Sequence, residues 1–88
     1  MPNHTWTPRN IRNKSDLISF AKELRGKSRN TFIEIEVDCI DFALALTSNE
    51  VNAVLLDNFS LEDVVHVRKE IDQEVIIEVS GEISSNNI

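Results

Sequence analysis

Glu36, Asp57 and the Ser80-Gly81 pair are the positions at which this sequence could do chemistry, because each stands where a short apolar run gives way to polar groups. In IEIEV, residues 33–37, Glu34 and Glu36 alternate with Ile33, Ile35 and Val37, so both acids share one face of a strand. In VLLDN, residues 54–58, Asp57 ends an apolar run of the fully buried kind. IIEVSG, residues 76–81, ends in a hydroxyl and a glycine that close its strand. Each position also has a plainer reading. Asp57-Asn58 suits a turn, Glu36 suits the solvated side of an edge strand, and Ser80-Gly81 suits an ordinary strand-to-helix turn. Paired acids also serve glycoside hydrolysis, but nothing here fixes their separation and the sugar-stacking aromatics are lacking.

Positioning these groups takes strands alternating with helices. SDLISFAKELRG, residues 15–26, puts Leu17, Ile18, Phe20, Ala21 and Leu24 on one helical face, with Ser15 as N-cap and Gly26 as stop; everything before residue 15 reads as loop. A strand follows at 31–37, a capped helix within 38–48 and a buried strand at 52–56. Ser60 with Asp63 matches a capping box, and Leu61, Val64, Val65, Arg68 and Ile71 continue at helical spacing. Residues 74–80 form the last strand. IEIEVD, AVLLDN and IIEVSG then read as a weak repeat spaced by roughly twenty residues, the spacing of β/α units. The fold class is α/β: a parallel βαβαβ arc of a TIM-like β/α barrel, preceded by an N-terminal loop and helix. Residues 1–14 are a basic loop and residues 15–88 a partial barrel segment. The ligand end of such a sheet is the C-terminal end of its strands, which is where Glu36, Asp57 and Ser80-Gly81 fall. Right-handed crossovers leave the second face of the sheet bare and apolar, so the chain is expected to be a homo-oligomer or part of a larger barrel.

With 88 residues and net charge −6, this is at most one small domain, a single domain or a fragment of one. Residues 1–30 hold seven of the nine basic residues against Asp16 and Glu23, so that segment is +5 and the remainder −11. Binding to nucleic acid is not expected, since the basic residues are spread over a helix and a loop without a recognition motif. Cys39 and two histidines offer no zinc-ligand spacing and no haem site; Cys39 reads as a small, semi-buried residue. With no apolar run of membrane length and no signal-peptide block, the expected location is the cytoplasm.

FIEIEVD, residues 32–38, VLLDNFSLEDV, residues 54–64, and IIEVSGEISSNNI, residues 76–88, together resemble the C-terminal barrel region of the quinolinate phosphoribosyltransferase family, also called nicotinate-nucleotide pyrophosphorylase (carboxylating). That family shows a strand like IEVEV, a strand ending in LDN before a helix cap, and a strand ending in SGG. PNHTW, residues 2–6, is similar to its Lys-Asp-Asn-His segment at Asn3 and His4, with Met1 in place of the lysine. Glu82 replaces the second glycine of SGG, and Glu50 the glycine usual before the second strand. Molybdenum-associated relatives share these strings.

The resemblance implies transfer of phosphoribosyl from phosphoribosyl pyrophosphate to the nitrogen of quinolinate, a pyridine dicarboxylate. Carbon dioxide and pyrophosphate leave, and nicotinate mononucleotide is made for NAD biosynthesis. It implies magnesium, held by Glu36 and Asp57 through water, with the same two acids on the ribose hydroxyls; Ser80 and Gly81 begin a 5'-phosphate loop, and His4 is a further candidate. The basic residues that hold the dianionic quinolinate in the family lie outside this sequence, so the chain alone is expected to be inactive. The alternative is a non-catalytic remnant or small oligomerising interaction module with the basic N-terminal segment as its docking arm.

Overall fold

In the computed structural model the described residues are 4–27 and 29–80, the side chain of His4 excepted. The elements run β1 (His4–Trp6), α1 (Lys14–Lys27), β2 (Ile33–Val37), α2 (Ile40–Ala45), β3 (Ala53–Asp57), α3 (Leu61–Glu70) and β4 (Ile76–Ser80). The strands form one parallel sheet in the order β1-β2-β3-β4. Parallel neighbours need a crossover between them, and each gap holds one helix.

Local chemistry explains most boundaries. The α1 helix begins at Lys14, two residues earlier than a Ser15 cap would set it, because Asn13 caps it: the Asp16 amide donates to Asn13 Oδ1 at 2.9 Å. Gly26 does not stop this helix, which continues to Lys27. Ser60 caps α3 as its sequence predicts, its Oγ accepting from the Asp63 amide at 3.1 Å. Six-residue α2 follows Cys39, which is exposed rather than semi-buried and makes no side-chain cap bond.

Two expectations fail on packing. The N-terminal region is not all loop, since β1 adds a fourth strand whose Thr5 pairs with Glu34 and Trp6 with Ile35. A three-residue strand has no hydrophobic period to announce it; pairing with β2 creates it. On α3, the buried side is Val67 with half-buried Val64, running into Ile71, while Leu61 and Val65 lie exposed. That helix is rotated from the face its spacing suggested.

The core lies between the sheet and its helices. Ile33, Ile35 and Val37 of β2 and Val54 and Leu56 of β3 meet Leu17 and Ala21 of α1, Ala43 of α2 and Val67 of α3. By pleat alternation the opposite face carries Thr5, Glu34, Glu36, Ala53, Leu55, Asp57, Ile76, Glu78 and Ser80. This second face is mixed where an apolar one was expected: four carboxylates share it with Ala53, Leu55 and half-exposed Ile76. The other exposed large hydrophobic residues among those described are Trp6 on β1, Leu61 and Val65 on α3, and Val79 on β4.

Candidate functional site

The C-terminal ends of β2 and β3 open into a cleft of about 360 Å³ lined by Thr7, Pro8, Ile11, Glu36, Val37, Asp38, Phe42 and Asp57. Glu36 and Asp57 therefore meet in one cavity at the ligand end of the sheet. The register sets their relation: Glu36 lies beside Leu55, and Asp57 stands one pleat beyond Leu55 on the same face. Because β2 is flanked by β1 and β3, Glu36 is not on an edge strand.

Hydroxyl groups orient both acids. Thr7 Oγ1 donates to Glu36 Oε1 at 2.9 Å, and Ser80 Oγ donates to Asp57 Oδ1 at 3.5 Å, across the directly paired Asp57 and Ser80 positions. Thr7 was missed in the sequence because it sits beyond the end of β1. The only signal was its place next to a strand that could not itself be recognised.

The four residues after Leu56 show why Asp57 stands where it does. Asn58 takes φ 65°, the left-handed region that costs most side chains energy and that Asn tolerates. That turn sends Phe59 back into the core and leaves Ser60 to cap α3. The strand end bearing Asp57 is thus pinned by a turn residue, a buried ring and a helix cap.

A second acidic pair lies deeper on the same face. Glu34 is only 3 % exposed; its Oε1 accepts from Thr5 Oγ1 at 2.7 Å, but its Oε2 is buried with no hydrogen-bond partner. On β4, a hydrogen bond to Glu34 and the repulsion of its charge hold Glu78 above the usual carboxylate range. The sequence did not single out Glu78, and the register places it one pleat diagonally from Glu34 across β3, level with Leu55, while Glu34 is level with Ala53.

Glu50, at the family's glycine position, is buried and structural: Oε1 accepts from the Thr47 amide and hydroxyl, both at 3.0 Å. Gly81 and the side chain of His4 lie outside the described residues. Among the described residues no group of three or more His, Cys, Asp or Glu side chains is placed to hold a metal directly. Two carboxylates on rigid strand ends do fit a hydrated magnesium ion, which keeps several waters and takes one or two carboxylates beside substrate phosphates.

A family model described as quinolinate phosphoribosyl transferase, C-terminal domain, matches residues 3–88. The chain belongs to that family. In a search of solved structures, a crystal structure of a NadC deletion mutant matches with TM-score 0.77 and 23 % identity, over 92 % of this chain. At that identity the likeness bears on the fold, and it supports the barrel-arc reading. The chain spans 29 % of the length of that structure. No curated protein matches the chain. Among the described residues no helix is long and apolar enough to cross a membrane.

Proposed function

We propose that this chain supplies the acidic rim of a phosphoribosyltransferase site, with Glu36 and Asp57 receiving the ribose hydroxyls of phosphoribosyl pyrophosphate. The observation that carries this reading is the convergence of both acids on one cleft at the strand ends, in a chain of this family. A ribose centre gaining positive character as pyrophosphate leaves is stabilised by fixed carboxylates, and Thr7 and Ser80 hold these two in place beforehand. Magnesium, held by Glu36 and Asp57 through water, would neutralise the leaving pyrophosphate. Ser80 and Gly81 would begin the contact to the 5'-phosphate. The acceptor would be a pyridine dicarboxylate, quinolinate in the family's reaction, and the product nicotinate mononucleotide would enter NAD biosynthesis, with the cytoplasm as the proposed compartment.

Among the described residues, no lysine or arginine lines this cleft. An acceptor with two negative charges wants basic partners, so the reading expects no turnover by the 88-residue chain alone. The test is calorimetric titration of phosphoribosyl pyrophosphate with and without magnesium. Binding should require the metal and fall at least tenfold in Glu36→Ala and in Asp57→Ala, with no turnover of quinolinate. Absence of binding to the unaltered chain would instead favour an oligomerising module without catalysis, the reading supported by the apolar side chains exposed at the sheet margins.

A further inference from the structure

The loop between β1 and α1, residues 7–13, stands at the ligand end of the sheet and is fixed at both ends. At its start Thr7 Oγ1 donates to Glu36 in the cleft; at its end the Arg12 amide donates to Asp16 Oδ2 at 3.1 Å, beside the Asn13 cap. Asn10, between them, takes φ 61°, a turn that Asn tolerates. Pro8 and Ile11 are half-buried in the cleft wall, and the residue after each is an exposed arginine, Arg9 and Arg12. Neither guanidinium has a hydrogen-bond or ion-pair partner among the described residues. The cleft itself bears Glu36, Asp38 and Asp57 without a base in its described lining, so a phosphate entering it needs counter-charge. Two unpaired guanidinium groups on a pinned backbone, each one residue from the cleft wall, can supply it.

We propose that Arg9 and Arg12 clamp the pyrophosphate group of the bound substrate at the mouth of the cleft while Glu36 and Asp57 hold its ribose, an inference that rests on the transferase reading above. The division of labour follows from charge. Carboxylates accept from hydroxyls and repel phosphates, whereas planar guanidinium groups donate in pairs to phosphate oxygens. The arginines also fix the direction of the group, outward from the three acids. Because the ends of the loop are already bonded, binding has little more than two long side chains to order.

Inorganic pyrophosphate with magnesium is the probe, titrated calorimetrically into the full 88-residue chain at low salt. Arg9→Ala and Arg12→Ala should each weaken binding about tenfold. Lys22→Ala, which removes the same charge from an exposed position on α1, should leave it unchanged. Binding to the parent chain should weaken as salt rises. Both arginines are exposed and without side-chain partners among the described residues, so the variants should keep the parent's Tm, which circular dichroism checks. No pyrophosphate binding by the parent chain, unchanged binding in both arginine variants, or an equal loss in Lys22→Ala would each overturn the proposal. A probe without ribose separates the clamp from the transferase reading. If phosphoribosyl pyrophosphate binds through Glu36 and Asp57 and both arginine variants bind it like the parent, the clamp falls and that reading stands. If inorganic pyrophosphate needs both arginines and phosphoribosyl pyrophosphate does not bind, the ribose reading falls alone.

Discussion

At the scale of single residues, conformation and charge make separate demands. Asn58 occupies the left-handed region, so Asn58→Val should lose about 1–2 kcal/mol in urea unfolding while Asn58→Gly stays close to the parent chain. Two acids set opposite pH trends. Asp72 is held below the usual carboxylate range by hydrogen bonds from the Glu74 amide and from Ser48. Its stabilisation is present above the unfolded-state carboxylate pKa and is lost as pH falls through the lowered folded value, so Asp72→Asn should cost stability at neutral pH and little in acid. Glu78 is raised by Glu34, so its favourable contribution is complete below the unfolded-state pKa and is lost as pH rises through the folded value. Glu78→Gln should therefore raise the Tm of the isolated chain at neutral pH, with the difference closing in acid; Tm recorded across pH for both variants checks both signs.

At the scale of elements, the N-terminal ends of the strands are joined by polar bonds that no hydrophobic pattern announces. Arg25, near the end of α1, donates from Nη1 to the carbonyls of Arg29 and Thr31, both at 3.0 Å, and from Nη2 to Asn52 Oδ1 at 2.7 Å. The same Oδ1 accepts from the Ile33 amide at 2.8 Å, and the Asn52 main chain bonds to Ile33 and Ile76. One arginine of the basic segment thus fastens a helix to its sheet, where sequence reading saw a docking arm. Arg25→Ala should destabilise the chain by about 1–3 kcal/mol in urea unfolding, since it strips a charged donor from several acceptors. What was legible followed from period and capping: Ile33, Ile35 and Val37 mark β2, and Ser60 marks the start of α3. What was not legible depended on neighbours: β1 exists because β2 pairs with it, and the exposed side of α3 is fixed by which flank meets the sheet. For the candidate site, strand-end position brought Glu36 and Asp57 to one rim on paper, while Thr7 and the Glu34–Glu78 contact needed the register to be known.

At the scale of the whole molecule, carboxylates gather on one face of the sheet while apolar side chains stay exposed on α3 and the outer strands. Leu61→Lys and Val65→Lys, on the exposed side of α3, should change unfolding free energy by no more than about 0.5 kcal/mol yet reduce concentration-dependent association in sedimentation velocity. The strand order has a consequence for how the chain folds. Every strand pairs only with the strands next to it in sequence, so no pairing has to wait for a distant segment. Loop-closure entropy is then met in small steps, and assembly can start at β2 and β3, which share α2 and the most buried side chains, and spread outward. Amide hydrogens should accordingly exchange slowest in β2 and β3 and fastest in β1 and β4, a gradient running from the centre of the sheet toward each margin.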